Sequence, residues 1–279
     1  MADREFNLLH EPWIRVMRPD SAVEELSLTD ALLRAHEYVG LAGELPTQDA
    51  AVLRLMLAVL HAVFQRVDEQ GEEAPLEDDG MALDRWEALW KAGRAPEKPV
   101  REYLGRYEER FWLFHPEWPF YQAVSAKAGS GYGAEKLNGA INESGHKPRL
   151  FASRAGERKK RLTYPEAARW LLQLNGFDDA GLKKKIRTDK ELPSFKPGWL
   201  GQLGLIIANG SNLFETLMLN FVLLDHQEEP WESAAPVWEK DTPDLRDRVW
   251  IATPHDQAAL LTLQSRRTLL LREDGYVTG

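Results

Sequence analysis

Cysteine is absent from the 279 residues. That excludes disulfide cross-links and thiolate chemistry, and makes a reducing, cytoplasmic setting the expected one. Long uninterrupted apolar runs are also missing. The longest, "AAVLRLMLAVLHAVF", is broken by Arg54 and His61 and is too short and too polar to be expected to cross a bilayer. The opening "MADREFNLLHEPW" lacks the apolar core of a signal peptide. Catalytic signatures are equally scarce. No GxxxxGK[ST] loop occurs, the "GSGYG" at 129–133 has no strand-then-helix context, and the seven histidines show no HExxH or paired spacing. The histidines of "HEP" and "HPEWP" are expected in loop or satisfied core positions, and the acidic pairs Asp78-Asp79 and Asp178-Asp179 in solvated turns or at helix ends. No catalytic residue, metal ligand or cofactor is assigned.

What is present describes a globular chain. Hydrophobic residues make up 43%, and the length suffices for a substantial core. "EFNLLHEPWIRVM" suits a strand interrupted by Pro12, and "SLTDALLRAHEYVGL" a helix capped by Ser27 or Thr29. "LPTQDAAVLRLMLAVLHAVFQRV", with Thr47 as cap, is apolar nearly all round from Ala50 to Val67, the mark of a central core helix. After an acidic connector at 69–81 come two amphipathic segments, "ALDRWEALWKAG" and "PVREYLGRYEERFWLF", with Trp86, Leu89 and Trp90 on one face of the first. "HPEWPFYQAV" is an irregular packed loop. "TYPEAARWLLQL" is a helix with Thr163 and Glu166 at capping-box spacing and Pro165 in its first turn. "WLGQLGLIIANG" is expected as a strand, and "SNLFETLMLNFVLL" as a helix capped by Ser211 or Asn212. Asp274-Gly275 marks a hairpin whose second strand has barely begun at Gly279, so either a fragment or a chain that more sequence once followed is expected.

Positive charge is in deficit overall and yet concentrated. The chain carries 44 acidic and 35 basic residues, net −9. From Lys147 to Gly198 there are 14 Lys or Arg against 6 Asp or Glu, an excess of eight positive charges, which leaves −17 on the remainder. Residues 127–162 hold no sustained period and form a long loop, and a loop beyond ~12–15 residues in a compact domain is usually functional or disordered. A charge run alone is commonly a solvated face. Here "ERKKR" and "LKKKIR" flank one predicted helix, Asn142, Ser144 and His146 offer short polar groups, and Phe151 is an aromatic in a polar loop. Phosphate contacts need cations, and exposed bases stack on aromatics. The expected nucleic-acid-binding residues are Asn142, Ser144, His146, Lys147, Arg149, Phe151, Arg154, Arg158, Lys159, Lys160, Arg161, Lys183, Lys184 and Lys185.

Several segments, in order, resemble one family. "FNLLHEPWIRV", "HPEWPFYQ", "EKLNGAINESGHKPRLF", "YPEAARWLLQLNGFDDAG", "GWLGQLGLIIANGSNLFETLMLNFVLL" and "LLTLQSRRTLLLREDGYVTG" are similar to stretches of the CasA-type large subunit of type I-E Cascade, the CRISPR RNA-guided surveillance complex. The resemblance covers essentially the whole chain and rests on collinearity. It implies an α+β fold: the mixed helical and small-sheet N-terminal domain of that subunit, spanning 1–279, with a nucleic-acid-contacting loop at 142–162 and without the family's C-terminal helical bundle. It further implies a non-enzymatic subunit that contacts the 5′ handle of the CRISPR RNA, helps recognise the protospacer-adjacent motif (PAM) in double-stranded target DNA, and recruits the helicase-nuclease for antiviral defence. Its partners would be the other Cascade subunits and these nucleic acids, with no membrane. The family's loop phenylalanine is matched by Phe151. Its glycine-bearing PAM loop falls near Lys159 to Thr163, where this sequence reads "KKRLT" without glycine. The alternatives are a structural assembly subunit whose basic loop binds an acidic protein, and a hydrolase with an unrecognised site.

Overall fold

The computed structural model describes residues 4–143, 150–179, 196–231, 234–240 and 256–279. The organising element is α2 (Pro46–Phe64), buried along nearly its whole length. It is long and apolar enough to match a membrane span by composition, but 83% of that window is covered by the rest of the protein. Its start differs from the expected Thr47 cap. Leu45 holds the N-cap position in extended backbone and Pro46 opens the helix, which places Thr47 inside the first turn. Proline pre-sets the helical φ there and leaves no N–H to satisfy. Gln48 and Asp49 reach back instead, accepting from the backbone N–H of Glu44 (3.0 Å) and Gly43 (2.7 Å).

Around α2 pack α4 (Glu97–Arg106), α6 (Tyr164–Phe177), α7 (Leu213–Asn220) and α8 (Gln257–Leu261). The N-terminal segment supplies β1 (Glu5–Asn7) and, after the turn containing Pro12, β2 (Ile14–Met17). Strand β2 is central in an antiparallel sheet with β3 (Val23–Leu26) and β4 (Gly40–Leu41). Trp13 is fully buried and its indole N–H donates to the Leu8 carbonyl (2.9 Å). Helix α1 (Leu28–Leu33), capped by Ser27, is shorter than its sequence pattern, and a 3₁₀ turn and β4 follow.

Two other patterns resolve differently. The helical reading of "PVREYLGRYEERFWLF" holds only to Arg106, because Trp112–Phe114 is a strand, β5, paired with β1 through Glu5↔Phe114 and Asn7↔Trp112. A partner more than a hundred residues away overrides the local helical period. "WLGQLGLIIANG" forms a 3₁₀ turn at Trp199–Gln202 and then continues without regular structure or a ladder partner among the described residues, so the expected strand does not form. In helix α3 (Asp79–Ala92) Leu89 is buried, and Trp86 and Trp90 stack with ring centroids 5.2 Å apart. The fold is therefore α+β: helices around α2, with small antiparallel sheets.

Candidate nucleic-acid interface

Three local features build the site. The first is the start of α6. The Thr163 hydroxyl accepts from the Glu166 N–H, and Glu166 accepts from the Thr163 N–H (2.9 Å), a complete capping box. The second is the C-terminal hairpin, β6 (Arg272–Glu273) and β7 (Tyr276–Val277). Asp274 (φ 50°) and Gly275 (φ 77°) are both left-handed, as a type I′ turn demands. The third is a hook between them. Leu162 and Val277 exchange backbone hydrogen bonds of 2.9 and 2.8 Å, which pins the hairpin to the end of the basic loop.

That hook sets the Arg161 guanidinium over the Tyr276 ring, 5.3 Å from its centroid. The result is a cleft of about 630 Å³ lined by Arg154, Arg158, Arg161, Thr163, Glu166 and Tyr276, among others. Three arginines face one carboxylate, so the cleft favours anions. Arginine's planar fork matches phosphate geometry bidentately.

The basic residues are not equivalent. Arg154 is bound to Glu166 and lies 3.8 Å from Glu44. Lys159 Nζ pairs with Glu143 (2.9 Å), and Lys160 with Glu157 (2.7 Å). Glu166 and Glu157 lie within the basic segment, while Glu143 and Glu44 lie outside it and offset part of its excess. Arg158 and Arg161 form no salt bridge among the described residues, which leaves them as the cleft's principal cations. Burial pushes the Glu166 carboxyl up, but hydrogen bonds from Arg154 and Thr163 outweigh it, and the net shift is below the ordinary 4.5.

Phe151 is 92% exposed, and its neighbour Leu150 is exposed as well. Asn142 has left-handed backbone (φ 46°) and accepts through its side chain from Lys136, which also binds Asp179 (2.8 Å). Ser144, His146, Lys147, Arg149, Lys183, Lys184 and Lys185 lie outside the described residues. The structure thus gathers Arg154, Arg158 and Arg161, turns Lys159 and Lys160 onto carboxylates, and leaves Phe151 open. Sequence reasoning missed Tyr276. The hairpin signal at Asp274-Gly275 was visible, but the pairing that brings it to Arg161 was not.

Elsewhere Asp178 takes the helix-end place expected as one of its two alternatives, but not a solvated one. It is buried at the end of α6, 2.6 Å from Arg266 Nε and 3.7 Å from Lys136. The histidines of "HEP" and "HPEWP" are satisfied: His10 meets Glu108 (3.1 Å), and His115 Nδ1 accepts from the N–H groups of Glu117 and Trp118.

Comparison with known proteins places this fold in one class. The profile of the CRISPR-associated protein Cse1 family matches residues 7–279. A Thermus thermophilus protein described as CRISPR-associated protein CasA/Cse1 is 37% identical over 243 residues, covering 86% of this chain and 43% of that protein. The crystal structure of Thermobifida fusca Cse1 superposes with a TM-score of 0.78 at 29% identity, covering 98% of this chain and 50% of that one. A further structure, described as a CRISPR RNA-guided surveillance complex, shares the fold with a TM-score of 0.71 at 22% identity, covering 99% of this chain and 55% of that one. The chain belongs to the CRISPR-associated Cse1 family. It spans about half the length of the relatives it matches.

Proposed function

We propose that this chain forms the N-terminal α/β domain, residues 1–279, of the non-catalytic large subunit of a type I-E Cascade. In this reading the loop at 142–162 and the adjoining cleft contact nucleic acid: the 5′ handle of the CRISPR RNA and the PAM-proximal part of double-stranded target DNA. The assembled subunit also presents a surface to the helicase-nuclease. The observation that carries the reading is the arginine cleft beside an open Phe151, in a member of the Cse1 family.

The chemistry is positioning rather than bond breaking. Arg158 and Arg161 neutralise phosphates without reading sequence, while the exposed Phe151 ring offers a stacking face for an unpaired base. Tyr276 holds the Arg161 guanidinium in place, and Glu166 holds Arg154 at the wall of the cleft.

The test is reconstitution. The chain is mixed with the remaining Cascade subunits loaded with CRISPR RNA, and co-elution and target-duplex binding are measured. Stoichiometric co-elution with a gain in duplex affinity supports the reading. Co-elution in which Arg158→Ala, Arg161→Ala and Phe151→Ala leave duplex affinity unchanged favours the purely structural subunit. No co-elution contradicts both.

A further inference from the structure

Arg158 enters the cleft on a turn that buries no residue. The 3₁₀ turn Gly156–Lys159 also has no side-chain cap, and Gly156 at its start is left-handed (φ 56°). A short turn without core contacts keeps a fixed orientation only where polar contacts tie it down. The pair of Lys160 with Glu157 is local and exposed on both sides, and such pairs contribute little. Lys159 makes the stronger tie. Its Nζ donates to both carboxylate oxygens of Glu143, at 2.9 and 3.0 Å, and the two side chains are only 22% and 13% exposed. Among the described residues Lys159 meets no second carboxylate.

Glu143 is itself anchored. Its N–H donates to the Glu135 carbonyl (3.0 Å) in α5 (Ala134–Leu137), a short helix whose Ala134 and Leu137 are buried. The preceding residue, Asn142, accepts from Lys136, and Lys136 reaches Asp179 (2.8 Å) just past the end of α6. Glu143 therefore joins a fixed point of the body to the residue next to Arg158. Its charge has the wrong sign for the seat of a polyanion, where a carboxylate by itself costs affinity. We propose that Glu143 is a positioning residue of the nucleic-acid site: through Lys159 it holds the Gly156–Lys159 turn so that the Arg158 guanidinium lines the cleft. The inference rests on the nucleic-acid reading of that cleft and adds to it a residue that contacts no nucleic acid itself.

The experiment measures duplex affinity in the reconstituted complex, with CRISPR RNA and the other Cascade subunits. Four variants are compared: Glu143→Ala, Arg158→Ala, the two together, and the exchange of Glu143→Lys with Lys159→Glu. By charge alone, removing a carboxylate and freeing a lysine should tighten binding. Positioning predicts the opposite. Glu143→Ala should bind about fivefold more weakly, the size of a typical coupling within one ion-pair network. The exchange keeps both the net charge and the tie, and should recover most of the affinity. Added to Arg158→Ala, Glu143→Ala should cause no further loss. Should Glu143→Ala lower the melting temperature, Glu143→Gln, which keeps the side-chain volume, takes its place in the same comparison. Three results overturn the positioning while Arg158→Ala still weakens binding: unchanged or tighter binding by Glu143→Ala, a loss that persists in full without Arg158, or an exchange that recovers nothing. Unchanged affinity in Arg158→Ala overturns the nucleic-acid reading and the positioning with it.

Discussion

The guanidinium of Arg161 lies over the ring of Tyr276, 5.3 Å from its centroid, joining the end of the basic loop to a hairpin more than a hundred residues downstream. A cation over an exposed ring gains ~0.5–1 kcal/mol. Tyr276→Ala should therefore weaken duplex binding about two- to fivefold by releasing Arg161, while Tyr276→Phe retains most of the affinity. Fluorescence anisotropy with a labelled duplex checks this, and equal loss in both variants would assign the effect to the hydroxyl instead.

Glu166 serves the helix and the cleft at once, through Thr163 and Arg154. Thr163→Ala removes half the capping box and should cost about 1 kcal/mol of stability. Glu166→Gln keeps an acceptor for the Thr163 N–H but removes the cleft's carboxylate. Duplex affinity at low salt should rise, by about 0.5–1 kcal/mol at most for a partly exposed pair. An affinity unchanged or lower in Glu166→Gln would show that Glu166 mainly orients Arg154 for binding.

Phe151 separates stability from binding. At 92% exposure it anchors no core, so Phe151→Ala should shift folding stability by less than about 0.5 kcal/mol. A stacked base predicts a binding loss of ~1–3 kcal/mol, largely recovered in Phe151→Tyr and Phe151→Trp. A melting curve and a binding isotherm on the same three variants decide it.

His61 makes the core acid-sensitive. It is fully buried in α2, its Nε2 has no partner among the described residues, and burial pushes its pKa from 6.5 to about 3. The unfolded chain therefore binds a proton that the folded chain refuses. This contribution is complete above pH 6.5 and is lost as pH falls from there towards about 3, at up to about 1.4 kcal/mol per pH unit. Urea unfolding between pH 7 and 4.5 should show this slope, and His61→Leu should flatten it. Equal slopes would mean that other groups govern acid unfolding.

Local chemistry was legible in the sequence. Thr163 and Glu166 stand three residues apart, Asp274-Gly275 carries its own turn geometry, and the apolar run of α2 declares a core helix. Signals that depend on distant partners were not. Trp112–Phe114 became a strand because β1 lies beside it, and Asp178 became buried because Arg266 and Lys136 close over it. The 203–207 run has strand composition but no ladder partner among the described residues. In the site, Arg154, Arg158, Arg161 and Phe151 were named from the sequence. That Glu143 and Glu44 would draw off Lys159 and Arg154, while Tyr276 would frame Arg161, follows only from tertiary packing.

The central claim is that Arg158 and Arg161 contact phosphates, and the salt dependence of duplex binding tests it most directly. Plotting log affinity against log salt for the unaltered chain and for Arg158→Ala with Arg161→Ala, within the reconstituted complex, compares the two slopes. Each lost phosphate contact should make the slope shallower by about 0.9, so the double variant should lose roughly twice that, with the same loss on unrelated sequences. An unchanged slope at unchanged affinity would contradict the account and leave the arginine cleft as a solvated face.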